Sequence, residues 1–171
     1  KFENSSKDKI CGFVGDLTNM ETGYIFKEFF DRTLNNINYD SRSDNRFLDN
    51  SERENYIFNS SINGIEKSDL IFLIGSNPRY EATILNARIR KAFVNNSTKV
   101  ISLNDIGNLT YPYESLDGQT QSIKNIFEGL NEISEEIINA SKPMIVIGES
   151  FLKSNSAEYL LKLIKSFLKK N

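Results

Sequence analysis

The fold of this chain is decided by the stretch Ile71-Phe72-Leu73-Ile74-Gly75-Ser76-Asn77-Pro78-Arg79-Tyr80-Glu81, which runs on through Asn86-Ala87-Arg88-Ile89-Arg90-Lys91. Four consecutive apolar residues stop at a glycine, and a polar turn then leads into an amphipathic pattern. That order is typical of a buried parallel strand followed by a helix. The amino end of such a helix offers free N–H groups and a positive dipole, which suit a phosphate or another anion. The stretch therefore predicts a strand–turn–helix unit with a candidate anion site.

The composition is that of an ordinary globular domain. The chain has 171 residues, 39% hydrophobic content and a net charge of −2, so we expect one domain over residues 10–171 behind a flexible start at residues 1–9. Because 21 basic residues nearly balance 23 acidic ones, no nucleic-acid partner is expected. No apolar run approaches the ~20 residues that cross a bilayer, so direct membrane insertion is not expected either. The chain begins without Met and without a signal-peptide pattern, and we expect it to be a piece of something longer.

Two compositional features exclude most catalytic chemistry. The chain has no histidine, which removes the usual general base and the imidazole metal ligands. Cys11 is the one cysteine, so an internal disulfide, a zinc–cysteine site and a four-cysteine cluster are all excluded. Cys11 lies inside an apolar run, and we expect it to be a buried core residue. No catalytic residue and no metal ligand is predicted.

Apolar runs and helical periods alternate along the chain, which predicts an α/β fold. Strands are predicted at residues 10–14, 70–74, 100–103 and 144–147, each short and rich in β-branched residues or Phe. The intervening helices favour a three-layer Rossmann-like domain, a mainly parallel sheet flanked by helices. These helices are predicted at residues 20–35, 60–67, 81–93, 121–130, 132–140 and from about 155 onward. Thr18 with Glu21, and Asn155 with Glu158, have the spacing of amino-terminal caps. Residues 39–58 and 104–119 are interpreted as loops.

Glycines and polar residues follow each predicted strand. They are Gly15-Asp16, Gly75-Ser76-Asn77, Asn104-Asp105 and Gly148-Glu149. Ligands of open α/β sheets bind at this edge, but carboxylates there repel a phosphate. We expect Asp16, Asp105 and Glu149 to cap helices, with a Mg²⁺ or Ca²⁺ site as the alternative. Neither a Gly-x-Gly-x-x-Gly nor a Gly-x-x-x-x-Gly-Lys-Ser/Thr motif occurs, which leaves a nucleotide cradle unsupported.

Three basic residues lie on the helix after the central turn. Arg88, Arg90 and Lys91 fall off its apolar stripe or at its edges. We interpret them as solvated helix charges, since no wider basic surface accompanies them. A binding patch is the alternative.

The central stretch resembles a known family. The run Gly75-Ser76-Asn77-Pro78-Arg79-Tyr80-Glu81-Ala82, with residues 86–91, is similar to the molybdopterin-oxidoreductase-like domain of the large peripheral iron–sulfur subunit of respiratory complex I, which is the 75 kDa subunit in mitochondria. The similarity extends to Val14-Gly15-Asp16-Leu17 and to Lys142-Pro143-Met144-Ile145-Val146-Ile147-Gly148. Gly-Ser-Asn-Pro is shared with formate dehydrogenases and nitrate reductases, whereas Arg79 and residues 86–91 point to complex I. The resemblance covers nearly the whole chain from about residue 10.

This resemblance implies a respiratory function. It implies a subunit of NADH:quinone oxidoreductase, in which electrons pass from NADH through FMN and iron–sulfur clusters to quinone. The cluster-ligating cysteines of that family lie in the amino-terminal part of the subunit, so the clusters are expected outside this fragment and no cofactor within it. The implied partners are other peripheral-arm subunits. The implied location is the cytoplasmic face of the bacterial inner membrane or the matrix side in mitochondria, and the fragment is not expected to be catalytic by itself.

The resemblance also identifies a candidate cofactor loop. In related molybdenum enzymes the Gly-Ser-Asn-Pro loop helps to hold a pterin dinucleotide, and the matching positions are Gly75, Ser76, Asn77 and Pro78. Those enzymes commonly have Asp-Pro-Arg after the next strand, where this chain has Asn104-Asp105-Ile106. We therefore expect a vestigial site in a non-redox scaffold domain. Two alternatives stay open, a fragment of a molybdopterin dinucleotide-dependent oxidoreductase of the formate dehydrogenase type and a free-standing nucleotide or small-anion binding module.

Overall fold

A computed structural model describes residues 5–15, 17–41, 46–47 and 49–170. Contacts between these residues divide the chain into two compact units, Lys1–Arg46 and Phe47–Asn171. One domain over residues 10–171 with a flexible start stays a prediction.

The first unit contains a short parallel sheet and one long helix. β1 (Gly12–Phe13) pairs in parallel with β2 (Tyr39–Asp40). α1 (Met20–Glu28) follows β1 and continues as a π-helical segment, Phe29–Leu34. The helix predicted at residues 20–35 is thus confirmed, whereas the loop predicted at residues 39–58 begins with a strand.

The amino-terminal cap of α1 differs from the predicted one. Asn19 caps the helix, and its side chain accepts a hydrogen bond from the N–H of Thr22 at 2.9 Å. The prediction of a box formed by Thr18 and Glu21 is wrong, because the helix begins one residue later than that spacing requires.

A small aromatic cluster holds the first unit together. Ile10, Phe30 and Leu34 are buried, and the rings of Phe26 and Tyr39 pack against them. The prediction that Cys11 is a core residue is wrong, since Cys11 is exposed. Successive residues of an extended chain point to opposite faces, so the residue after buried Ile10 faces away from the cluster.

The second unit is built on a four-stranded parallel sheet. Its strands are β3 (Leu70–Ile74), β4 (Lys99–Leu103), β5 (Glu114–Leu116) and β6 (Pro143–Ile147), arranged in the order β5–β4–β3–β6. The strands predicted at residues 70–74, 100–103 and 144–147 are confirmed. β5 lies inside the predicted loop of residues 104–119. Its sequence Glu-Ser-Leu has no apolar run, because it is a short edge strand with little to bury.

β3 is the centre of the sheet and is covered on both faces. All five of its residues are buried. Leu70, Phe72 and Ile74 belong to one hydrophobic cluster, while Ile71 and Leu73 belong to a second. A parallel strand covered on both sides needs apolar residues at every position, which explains the uninterrupted run that the sequence shows.

Helices cover the two faces and complete a three-layer α/β architecture. The cluster of Phe72 includes Ile126, Ile137 and Ile164 from three helices on one face, whereas the cluster of Ile71 includes Ile89 from the helix on the other. The helices are α2 (Pro78–Glu81), α3 (Thr83–Asn96), α4 (Thr120–Phe127), α5 (Glu132–Asn139), α6 (Glu149–Leu152) and α7 (Ala157–Lys170), with 3₁₀ turns at Arg53–Asn55 and Ile62–Lys67. None of the helices within the described ranges is long and apolar enough to span a membrane.

Candidate functional site

The carboxyl ends of β3 and β6 meet at one edge of the second unit. The N–H of Gly148 donates to the carbonyl oxygen of Ile74 at 2.8 Å, and the hydroxyl of Ser150 donates to the carbonyl oxygen of Gly75 at 2.5 Å. A Cβ built on Gly148 would lie 2.6 Å from the Cα of Ser76. The two predicted strand-end glycines therefore lie side by side, in close contact.

Gly75 is a glycine for two separate reasons. Its φ is +62°, which a residue with a side chain adopts only at a cost. A Cβ on Gly75 would also lie 2.5 Å from the backbone nitrogen of Phe151 and 2.6 Å from its Cβ. The space beside this glycine, where a ligand could approach a strand end, is filled by the first turn of α6.

The turn after Gly75 directs its hydrogen-bond donors at a carboxylate of the same chain. Ser76 is only 7% exposed, and its hydroxyl donates to Oε2 of Glu81 at 3.0 Å. The N–H of Asn77 donates to Oε1 of Glu81 at 3.1 Å. Asn77 also caps α2, since its side chain accepts from the N–H of Arg79 at 3.2 Å, and Pro78 occupies the first helical position. The carboxylate of Glu81 thus occupies two of the hydrogen-bond donors at the predicted anion site.

Three side chains of the same motif hold the segment that follows β4. Nδ2 of Asn77 donates to the carbonyl oxygen of Ile106 at 2.8 Å. Arg79 donates from Nη1 to the carbonyl oxygen of Asn108 at 2.5 Å, and Asn86 donates from Nδ2 to that of Leu109 at 3.1 Å. We name residues 105–113 the clasped loop, since side chains of α2, its cap and α3 clasp its backbone.

Asn86 is the most buried of these three donors. It is 7% exposed, and its Oδ1 accepts a hydrogen bond from the hydroxyl of Tyr111 at 2.7 Å. Burial raises the pKa of Tyr111, so the phenol stays protonated and remains a donor. Sequence reasoning missed the roles of Asn86 and Tyr111, because their partners are backbone and side-chain atoms more than twenty positions away.

The residues after β4 organise loops rather than helices. Oδ1 of Asn104 accepts from the N–H of Gly118 at 3.1 Å. Oδ1 of Asp105 accepts from the hydroxyl of Tyr113 at 2.5 Å and from the N–H of Gly107 at 2.8 Å. These bonds, that of Tyr113 first, hold the pKa of Asp105 below its ordinary value. The prediction that Asp105 caps a helix is wrong, because no helix begins here.

The other two predicted carboxylates give different outcomes. Glu149 lies in the first turn of α6 and pairs with Lys153 at 3.0 Å. Asp16 lies outside the described residues. Across the described part of the chain, no three His, Cys, Asp or Glu side chains lie close enough together to hold a metal ion.

Two of the three basic residues on α3 are engaged in ion pairs. Arg88 and Lys91 both contact the carboxylate of Glu66 in the 3₁₀ turn before β3, the lysine at 2.8 Å. Hydrogen bonds from Lys91 and then from Arg88 lower the pKa of Glu66. The side chains of Arg88 and Lys91 are nevertheless 37% and 55% exposed, so their ion pairs lie at the surface and the interpretation as solvated helix charge stays a prediction. Arg90 is exposed and contacts no carboxylate among the described side chains.

The first unit has a cavity at the end of β1. Its volume is about 640 Å³, and its lining includes Gly15, Asn19 and Lys27. Lys27 pairs with Asp31 at 2.6 Å, so this cation is already matched by a carboxylate. Gly15 thus lies at a concave strand end, as expected of a residue following a parallel strand.

These features define a doubly wound α/β domain with a Gly-Ser-Asn-Pro turn at the end of its central strand. The chain belongs to the molybdopterin oxidoreductase family, whose sequence profile matches residues 1–171. The family predicted from the sequence is thereby confirmed.

Individual relatives share a common kind of name. The chain is 32% identical over 179 residues to the NADH-ubiquinone oxidoreductase 75 kDa subunit of Reclinomonas americana, covering 98% of this chain and 26% of that protein. It is 32% identical over 170 residues to a subunit of the NADH-quinone oxidoreductase of Rickettsia bellii, covering 99% of this chain and 25% of that protein. It is 36% identical over 119 residues to the mitochondrial NADH-ubiquinone oxidoreductase 78 kDa subunit of Candida albicans, covering 70% of this chain and 16% of that protein. The chain thus spans about a quarter of the length of the first two relatives.

Proposed function

We propose that this chain is a non-redox scaffold domain of the large peripheral subunit of an NADH:quinone oxidoreductase, the respiratory complex that transfers electrons from NADH to quinone. The names of the relatives support this assignment, since the proteins of Reclinomonas americana and Rickettsia bellii are both named as subunits of NADH oxidoreductases. The motif that carries the similarity, residues 75–91, is used here for hydrogen bonds within the chain.

The single observation that carries the scaffold assignment is the position of the Glu81 carboxylate. It accepts hydrogen bonds from two donors of the turn, the hydroxyl of Ser76 and the N–H of Asn77. A phosphate of a pterin dinucleotide bound at this turn would have to displace the negative charge of Glu81 from these donors. The packing of α6 against Gly75 also reduces the space through which a ligand would reach the end of the strand. Gly75, Ser76, Asn77 and Pro78 therefore form a vestigial site, which does not fit the dinucleotide.

The remaining parts of the function lie outside this segment. Iron–sulfur clusters would be held by cysteines in the amino-terminal part of the same subunit, since Cys11 is the one cysteine here. The partners would be other subunits of the peripheral arm, on the cytoplasmic face of the bacterial inner membrane or on the matrix side in mitochondria. The domain contributes packing surface and no catalytic group of its own.

One purification distinguishes this function from its alternatives. The full polypeptide, affinity-tagged in its own cells, is expected to co-purify with NADH:quinone oxidoreductase activity, with FMN and with iron–sulfur signals in electron paramagnetic resonance. Molybdenum by elemental analysis and oxidised pterin by fluorescence are expected to be absent.

The opposite results would support the competing functions. Molybdenum and pterin without NADH oxidation would overturn the scaffold assignment in favour of an enzyme of the formate dehydrogenase type. A polypeptide that purifies alone, and whose melting temperature rises in millimolar nucleotide or pyrophosphate, would indicate a free-standing binding module.

The surface of α3 offers a sharper test of the contact with partner subunits. Arg90→Glu changes an exposed residue, so it is expected to leave the melting temperature of the chain unchanged and to weaken assembly if this face contacts a partner. Arg88→Glu is the matched control on the same helix, because it breaks the contact with Glu66 and is expected to lower the melting temperature. Unchanged assembly of the Arg90 variant would reject this surface as an interface.

A further inference from the structure

The two edges of the four-stranded sheet differ in chemistry. β5 is three residues long and polar, and its Glu114 pairs with Lys99 at 2.9 Å. Short strands and charges are how natural proteins protect the edge of a sheet. β6, at the other edge, has the sequence Pro-Met-Ile-Val-Ile, and its last four residues are half-buried. A strand that is apolar at successive positions is typical of the interior of a parallel sheet.

The outer edge of β6 has backbone groups available for pairing. The N–H of Gly148 donates to Ile74 of β3, and alternate residues of a parallel strand direct their backbone groups to the same neighbour. The backbone N–H and C=O groups of Met144 and Val146 therefore point toward β3, whereas those of Ile145 and Ile147 point outward. Among the described residues, no strand pairs with this outer edge.

The handedness of the crossovers shows which way the sheet grows. α3 connects β3 to β4 and packs in the cluster of Ile71 and Leu73. α4 and α5 lie between β5 and β6 along the chain and pack in the cluster of Phe72, on the opposite face. The connection from β3 to β4 runs toward the β5 edge of the sheet, whereas the connection from β5 to β6 runs toward the opposite edge. Because the two connections lie on opposite faces, they have the same hand, as right-handed crossovers require.

α7 follows β6 and lies on the same face as α4 and α5. Its residues Leu160, Ile164 and Phe167 belong to the cluster of Phe72. A right-handed crossover on that face runs in the direction from β5 toward β6. A helix on this face after β6 therefore leads to the position outside β6, where Ile145 and Ile147 are unpaired.

We propose that the sheet continues beyond β6 with a parallel strand supplied by the rest of the same polypeptide. Two relatives are long enough to contain such a strand outside the matched segment, because this chain corresponds to only 26% and 25% of their lengths. The strand has about five residues, to match β6, and is apolar on both faces, because β6 contributes to both clusters. The inference concerns the fold alone and does not depend on electron transfer by the complex.

Residue-resolved hydrogen exchange on the 171-residue chain and on the full polypeptide tests this proposal. In the short chain, the amides of Ile145 and Ile147 are expected to exchange quickly, while those of Met144 and Val146 exchange slowly. In the full polypeptide, Ile145 and Ile147 are expected to exchange at least about 100-fold more slowly. The outward amide of Ser115 on β5 is the control, and its exchange is expected to be the same in both.

Each other outcome overturns the proposal. Fast exchange of Ile145 and Ile147 in the full polypeptide would show that β6 is a true edge. Protection that already appears in the short chain and grows with its concentration would show that a second copy of the chain covers the edge instead. Both readouts are independent of NADH oxidation, so they separate this inference from the proposed function.

Discussion

Replacing Asn86 by Ala tests whether α3 holds the clasped loop. Asn86 donates to the carbonyl oxygen of Leu109 at 3.1 Å and accepts from the hydroxyl of Tyr111 at 2.7 Å. Asn86, Leu109 and Tyr111 are 7%, 0% and 7% exposed. Alanine is too short to replace either bond, and the buried surroundings limit access of water to the two groups left behind.

The magnitude follows from the two groups that lose their partner. A buried donor or acceptor left unsatisfied costs about 1–3 kcal/mol, so two such groups give an upper limit of about 6 kcal/mol. Because single substitutions that cost more than about 4–5 kcal/mol are exceptional, Asn86→Ala is expected to lower the free energy of unfolding by about 2–4 kcal/mol. Asn95→Ala is the matched control, because Asn95 is exposed on the same helix and the change in helix propensity is the same. The control is expected to stay within about 0.5 kcal/mol of the wild type.

Urea unfolding followed by circular dichroism measures both variants. Adding Tyr111→Phe to Asn86→Ala removes the orphaned hydroxyl, so the double variant is expected to recover about 1 kcal/mol relative to Asn86→Ala alone. If Asn86→Ala is as stable as Asn95→Ala, the loop is not held by this bond and the reasoning fails. If the Tyr111 change adds its full cost on top, the two side chains are not coupled.

Three further predictions concern other parts of the chain. Gly75→Ala is expected to lower the free energy of unfolding by at least about 2 kcal/mol, and the control Gly129→Ala by about 1 kcal/mol. Both glycines have positive φ, but only at Gly75 would a Cβ meet backbone atoms. Equal losses for the two variants would contradict this reasoning. The pKa of Glu66 is lowered in the folded state, first by its hydrogen bond from Lys91. The ionised carboxylate therefore stabilises the folded chain above the unfolded-state pKa of about 4.5, and this contribution is lost as the pH falls through the folded-state pKa. Between about pH 6 and pH 3, Glu66→Gln is expected to lose less unfolding free energy than the wild type does. Cys11 is exposed, so iodoacetamide is expected to alkylate it in the folded chain within about threefold of its rate in urea, and strong protection would place it in the core after all.

The elements that could be predicted from sequence are those whose burial leaves a periodic pattern. β3 is buried at all five positions, and its apolar run predicted its bounds without error. β5 was missed because an edge strand of three residues buries too little to leave a pattern. Cys11 was misassigned for a related reason, since an apolar neighbourhood in sequence does not say which face of an extended segment is covered.

The candidate site could be located from sequence but its state could not. The glycine, the polar turn and the helix start place residues 75–78 at a strand end, and this geometry is local. Whether the donors of that turn are free depends on Glu81 folding back onto them. The partners of Asn77 and Arg79 lie 29 positions away, and no local pattern announces them.

The sequence by itself determined the α/β class, the central strand and the family, and it located the candidate site at the end of that strand, because these depend on local periodicity and on one short motif. The tertiary structure decided that the motif is used internally. The side-chain amides of Asn77 and Asn86 hold the clasped loop, Gly75 leaves room for the first turn of α6, and Glu81 accepts hydrogen bonds from the turn. The physical reason is that hydrogen-bond donors at a turn bind the acceptor that the fold brings nearest, and here the chain supplies that acceptor itself.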